Sequence, residues 1–60
     1  MWKVMMTYTA LGERRTIEMP GNNGLGLFKA CHFADLYKER NPKAMFTVVN
    51  EDNGDIEYQV

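Results

Sequence analysis

The sequence predicts an α+β domain of order β-β-α-β-β, in which a four-stranded antiparallel sheet carries one helix packed on one face. Three observations lead there. Residues 2–10 and 14–19 alternate apolar and polar, residues 25–40 carry apolar side chains at helical spacing, and two runs rich in β-formers follow on either side of a Gly-containing turn.

In the first run Trp2, Val4, Met6 and Tyr8 point one way and Lys3, Met5, Thr7 and Thr9 the other. In the second, Arg15, Ile17 and Met19 oppose Arg14, Thr16 and Glu18. A turn at Leu11-Gly12 sets Met6 against Ile17, Val4 against Met19 and Thr7 against Thr16. Apolar then meets apolar at each inward step, and that agreement specifies the register. Pro20 ends the second strand, because it has no N–H for the ladder. Residues 21–24, Gly-Asn-Asn-Gly, read as a loop, and either asparagine is a candidate helix cap.

The helix is expected from about Leu25 to Arg40 and stops at Asn41-Pro42, since a residue before proline avoids the α region. The third strand is expected over Ala44–Glu51 and the fourth over Asp55–Val60. A three-residue loop Asp52-Asn53-Gly54, with Gly54 left-handed before a bulge, pairs Val48 with Tyr58 and Phe46 with Val60; a two-residue Asn53-Gly54 turn would pair Val48 with Gln59. The first register keeps apolar side chains together and is preferred. Strand order cannot be read from the pattern, although two hairpins meeting through a central contact is the simplest arrangement.

With 60 residues the chain makes a single domain, residues 1–60, and a domain this short buries only about 60% of its unfolded surface. One cysteine cannot form an intrachain disulfide, and Cys31 and His32 are too few for a structural zinc site. Association with a second copy or with a partner is the expected remedy. A net charge of −1 argues against non-specific binding to nucleic acid or anionic lipid. No apolar run approaches the roughly 20 residues of a membrane span, and the N-terminus opens directly into a strand pattern, so a cytoplasmic location is the default expectation.

On a helical wheel Leu27, Ala30, Cys31, Phe33, Ala34 and Tyr37 share one broad sector, the face expected on the sheet. The opposite sector is polar, with Lys29, His32, Asp35, Glu39 and Arg40, but also holds Leu25, Phe28 and Leu36. Phe28, His32 and Leu36 stand at i, i+4 and i+8 and form a ridge pointing away from the core. With Leu25 and Lys29 at its margin, this ridge is the candidate protein interface. The competing reading rotates the helix and tucks Phe28 or Leu36 into the edge of the core. The uncovered sheet face is a second candidate surface. It is expected to carry Lys3, Met5, Thr7, Thr9, Arg14, Thr16, Glu18, Met45, Thr47, Val49, Asp55, Glu57 and Gln59, and the bland reading is a solvated face.

Other constellations fall short of chemistry. Residues 21–26, Gly-Asn-Asn-Gly-Leu-Gly, match neither the dinucleotide nor the P-loop spacing, and Leu27-Phe28 stand where a P-loop needs Lys and Ser or Thr. Cys31 and His32 are helix neighbours about 100° apart and cannot share a face. The chain has no serine, and Glu51, Asp52, Asp55 and Glu57 sit at a hairpin tip without pocket-forming bulk, so no enzyme activity and no cofactor or metal are expected. Trp2, Tyr8, Phe46 and Tyr58 fall on the inner face, away from where a sheet-type RNA reader stacks bases.

In size, in β-β-α-β-β order and in its lack of catalytic residues, the chain resembles the small accessory proteins encoded by bacteriophages, many of which bind and inhibit a host protein. The resemblance implies a protein-binding role, as an inhibitor or adaptor, and transfers no site residues. The readings kept open are a module that occupies a partner protein's surface, a structural homodimer, and a weak nucleic-acid binder.

Overall fold

In the computed structural model, which describes residues 1–60, the chain forms β1 (Trp2–Ala10), β2 (Glu13–Glu18), α1 (Leu27–Arg40), β3 (Met45–Asn50) and β4 (Ile56–Gln59). The strands make one antiparallel sheet of order β2-β1-β3-β4, so the two hairpins meet through β1 and β3. The β1–β2 register is the expected one, with Met6 opposite Ile17 and Thr7 opposite Thr16. Leu11 and Gly12 both have positive φ, 54° and 78°, which is the type I′ turn that matches the twist of a tight hairpin.

Beyond Glu18 the chain leaves the ladder and returns to it. Met19 donates its N–H to Val4 C=O, and Asn22 N–H closes a turn on Met19 C=O. Pro20 and Gly21 occupy the central positions, and Gly21, at φ 76°, supplies the left-handed residue of a type II turn. Val4 N–H then bonds Asn22 C=O, and Trp2 and Leu25 exchange two hydrogen bonds at 2.8 and 3.0 Å. The loop thus satisfies the part of β1 that β2 is too short to reach.

This return shortens the helix. Leu25 is held in extended pairing, so α1 begins at Leu27 rather than Leu25, with Gly26 at the N-cap and no side-chain cap. Neither asparagine caps it. Asn22 is buried instead, and its amide bonds Pro20 C=O and the Tyr37 hydroxyl. At the other end the Asn41 N–H and side-chain amide both bond Tyr37 C=O, and Lys38 Nζ reaches Ala44 C=O at 2.7 Å.

The second hairpin keeps the expected Val48–Tyr58 and Phe46–Val60 partners but reaches them by another route. Asn50 accepts from Gly54 N–H and donates to Asp55 C=O, so the loop runs over Glu51–Gly54, one residue longer than expected. The Asn50 and Asn53 side chains each accept a backbone N–H two residues on, from Asp52 and Asp55, which stabilises the longer loop. Ile56 then opposes Val49, Tyr58 opposes Val48, and Glu57 is the extra residue of a bulge. Gly54 is left-handed, as expected, at φ 77°.

The core is small. Val4, Phe46 and Val48 are fully buried under Ala30 and Ala34, whose short side chains let the helix lie close to the sheet, with Ala44 at the margin. The helix packs chiefly on β3 and β1. Every residue of β2 stays exposed, and Ile17, although it faces the helix side, remains 41% open.

Leu11 is the one non-glycine residue with positive φ, and its side chain is wholly in solvent. An L-residue in that conformation costs about 1–2 kcal/mol, and asparagine tolerates it far better. Leu11→Asn is therefore expected to raise stability by about 1 kcal/mol, read as a higher urea midpoint at unchanged slope.

Candidate protein-interaction surface

The ridge begins where the helix does. Phe28 lies in the first turn and is 91% exposed, while Ala30 and Ala34, on the opposite side, are completely buried. Lys29 and His32 are exposed, and Leu36 keeps 36% of its surface open. The helix therefore sits in the orientation that presents Phe28, His32 and Leu36 outward, rather than the rotated one. Leu25 does not join them. It lies before the helix, paired with Trp2, half-buried and packed against the core, because its backbone completes the β1 ladder.

Two tyrosines on opposite flanks hold the helix in this rotation. Tyr37 stacks on Phe46 at 5.8 Å between ring centroids and on Phe33 at 6.4 Å, and its hydroxyl accepts the bond from buried Asn22. On the other flank the Tyr58 hydroxyl, on β4, donates to Asp35 Oδ1 at 2.5 Å. Rolling the helix far enough to bury Phe28 would break both bonds and lift the two alanines off the sheet.

The flank near Asp35 carries the perturbed acidities. The hydrogen bond to Asp35 holds the Tyr58 phenol above its ordinary value, with burial and the Asp35 charge acting in the same direction. Burial, and then the Asp35 charge, raise the Cys31 thiol. Cys31 is half-buried and faces the sheet side while His32 is in solvent, so the two do not meet. The hairpin acids also point elsewhere: Glu51 accepts the Gly24 N–H at 3.1 Å, which occupies the loop before the helix with a carboxylate of the chain itself.

The open sheet face differs from its expected composition at one end. The bulge at Glu57 turns Ile56 onto this face opposite Val49 and takes Asp55 off it. Ile56 is 61% exposed, and the apolar members are now Met5, Met45, Val49 and Ile56 around buried Thr47. Sequence reasoning missed Ile56, and the only signal was the Asn-x-x-Asn-Gly spacing that favours the longer loop. Thr7 and Thr16 share a hydrogen bond of 2.8 Å across the face, and no aromatic side chain lies on it. A shallow groove between β1 and the turn after the helix, lined by Met6, Tyr8 and residues 41–44, was also not foreseen. No helix is long and apolar enough to cross a membrane.

Comparison of the chain with protein-family models, curated proteins and solved structures gave no match.

The Asp35 flank yields a pH prediction. Because the folded-state pKa of Tyr58 is raised, the stability that its bond to Asp35 contributes is present below the ordinary phenol value of 10.0 and is lost as pH rises through the raised value. Asp35→Ala should bring the Tyr58 ring titration, followed by NMR, down towards that value; an unmoved midpoint would contradict the assignment. Cys31, kept as a neutral thiol, should be alkylated by iodoacetamide much more slowly in the folded protein at neutral pH than in urea.

Proposed function

We propose that this chain is a small protein-binding module that acts by occupying a partner protein's surface, in the manner of an inhibitor or adaptor. The observation that carries the reading is Phe28, which is 91% exposed on a regular helix whose other side is sealed against the sheet. Leu36, two turns on, continues the ridge beyond His32, and Lys29 stands at its margin. Helices seat in apolar grooves through large apolar side chains along one face, with an aromatic residue commonly the anchor, and Phe28 and Leu36 share the outward side of α1. The two tyrosine bonds hold the ridge in place before binding, which reduces the ordering cost of association.

The nucleic-acid reading has weaker support. The open face lacks a stacking aromatic, and of its two cations, Lys3 and Arg14, Lys3 lies 3.9 Å from Glu18.

Paired variants test the proposal. Phe28→Asp with Leu36→Asp should retain the circular dichroism spectrum and cooperative melting of the native chain. It should bind a partner, captured by the native protein and then purified, at least about tenfold more weakly. A double variant that binds that partner with native affinity would refute the ridge. A variant that loses its cooperative melt would assign Phe28 and Leu36 to holding the fold together.

A further inference from the structure

We propose that β2 is a self-pairing edge: a second copy of this chain adds its own β2 antiparallel, about a two-fold axis at Thr16, and the two sheets become one. This goes beyond the ridge and rests on different residues.

The two edges of the sheet are unlike. β4 is a four-residue strand with a bulge at its start, and both features blunt an edge. β2 has six residues in unbroken register with β1, no proline within it, and every residue exposed. Its backbone is open on one side. Met19 N–H bonds Val4 C=O, and antiparallel pairing alternates, so Glu13, Arg15 and Ile17 direct their backbone groups towards β1. Arg14, Thr16 and Glu18 therefore direct theirs outward, with nothing in the chain to meet them.

A charged edge ordinarily discourages pairing. Here the order of charges makes one register favourable. A two-fold axis perpendicular to the sheet keeps side chains on their own faces, so outward-directed residues pair with outward-directed residues. With the axis at Thr16, Arg14 lies opposite Glu18 of the second copy, Glu18 opposite its Arg14, and Thr16 opposite Thr16, and all the outward groups are used. Moving the axis to Arg14 or Arg15 sets arginine against arginine. Moving it to Ile17 brings Pro20, which has no N–H, opposite Arg14 and leaves no opposed charges. In the favoured register Glu18 receives Arg14 of the second copy on one side while Lys3 of its own chain stands 3.9 Å away on the other. Ile17, 41% exposed, comes to lie beside the Arg15 stem of the second copy.

The need for a partner is visible in the burial. Nine of 60 residues are buried, and no disulfide supplements so small a core. The same axis places both helices on one face of the joined sheet, so the assembly would present two Phe28 ridges in the same direction.

Charge reversal supplies the test. Sedimentation equilibrium of the native chain should show reversible dimer formation, weakened by salt. Arg14→Glu alone and Glu18→Arg alone each oppose like charges twice in the homodimer, and each should weaken dimerisation by about tenfold or more. Mixing the two variants restores opposite charges at both positions and should restore the dimer. Without any substitution, hydrogen exchange should show the Arg14, Thr16 and Glu18 amides gaining protection as the protein is concentrated. Phe28→Asp should leave the dimer intact, which separates this edge from the ridge. A chain that stays monomeric when concentrated, a dimer that either reversal leaves unchanged, or a mixture that fails to re-form it would overturn the proposal.

Discussion

A single α-helix is about 10–12 Å across, whereas four hydrogen-bonded strands span about 19 Å. Much of this molecule follows from that mismatch. One helix covers the centre of the sheet, where β1 and β3 meet, and cannot cover the rest. The residues that become fully buried are those at the centre, Val4, Phe46 and Val48, with the two alanines above them. Ile17 has the correct side for the core and the wrong strand, and it stays open to solvent.

So thin a core needs polar interactions to set its geometry. Asn22 illustrates this. Its backbone completes the β1 ladder, its side chain bonds the turn at Pro20, and the same amide reaches the helix at Tyr37. One buried side chain thereby ties strand, loop and helix together. Tyr58 performs the corresponding task from β4 through Asp35, at a more exposed site. Burial of apolar area is not directional, so these bonds act with the alanine contacts to hold one rotation of the helix over its neighbours.

That selection gives the ridge its meaning. A helix free to roll would hide Phe28 part of the time; a held one displays it permanently. The exposed phenylalanine and the open β2 edge lie on different elements, and the two proposed interactions would use different forces, apolar burial in one case and backbone pairing with matched charge in the other. A partner on the ridge and a second copy on the edge are therefore compatible in one assembly. The turns between strands confine the irregular backbone to surfaces that neither interaction needs, as at Leu11 and Gly54.

Alternation and helical spacing were enough to read the element order, the register of the first hairpin, the Val48–Tyr58 and Phe46–Val60 partners of the second and the helix faces, because each depends on near neighbours and on a period that residue types display directly. Met6 opposite Ile17 and Val48 opposite Tyr58 are examples. Strand order, the extended placement of Leu25, the burial of Asn22 and the turn of Ile56 to the open face were not legible. Each is settled by which distant backbone groups find partners: Leu25 by Trp2, Asn22 by Val4 and Tyr37, Ile56 by a loop that Asn50 and Asn53 lengthen by one residue. Periodicity states which side of an element is apolar. How far another element extends over that side is a matter of three-dimensional packing, and this left Phe28 and the β2 edge uncovered.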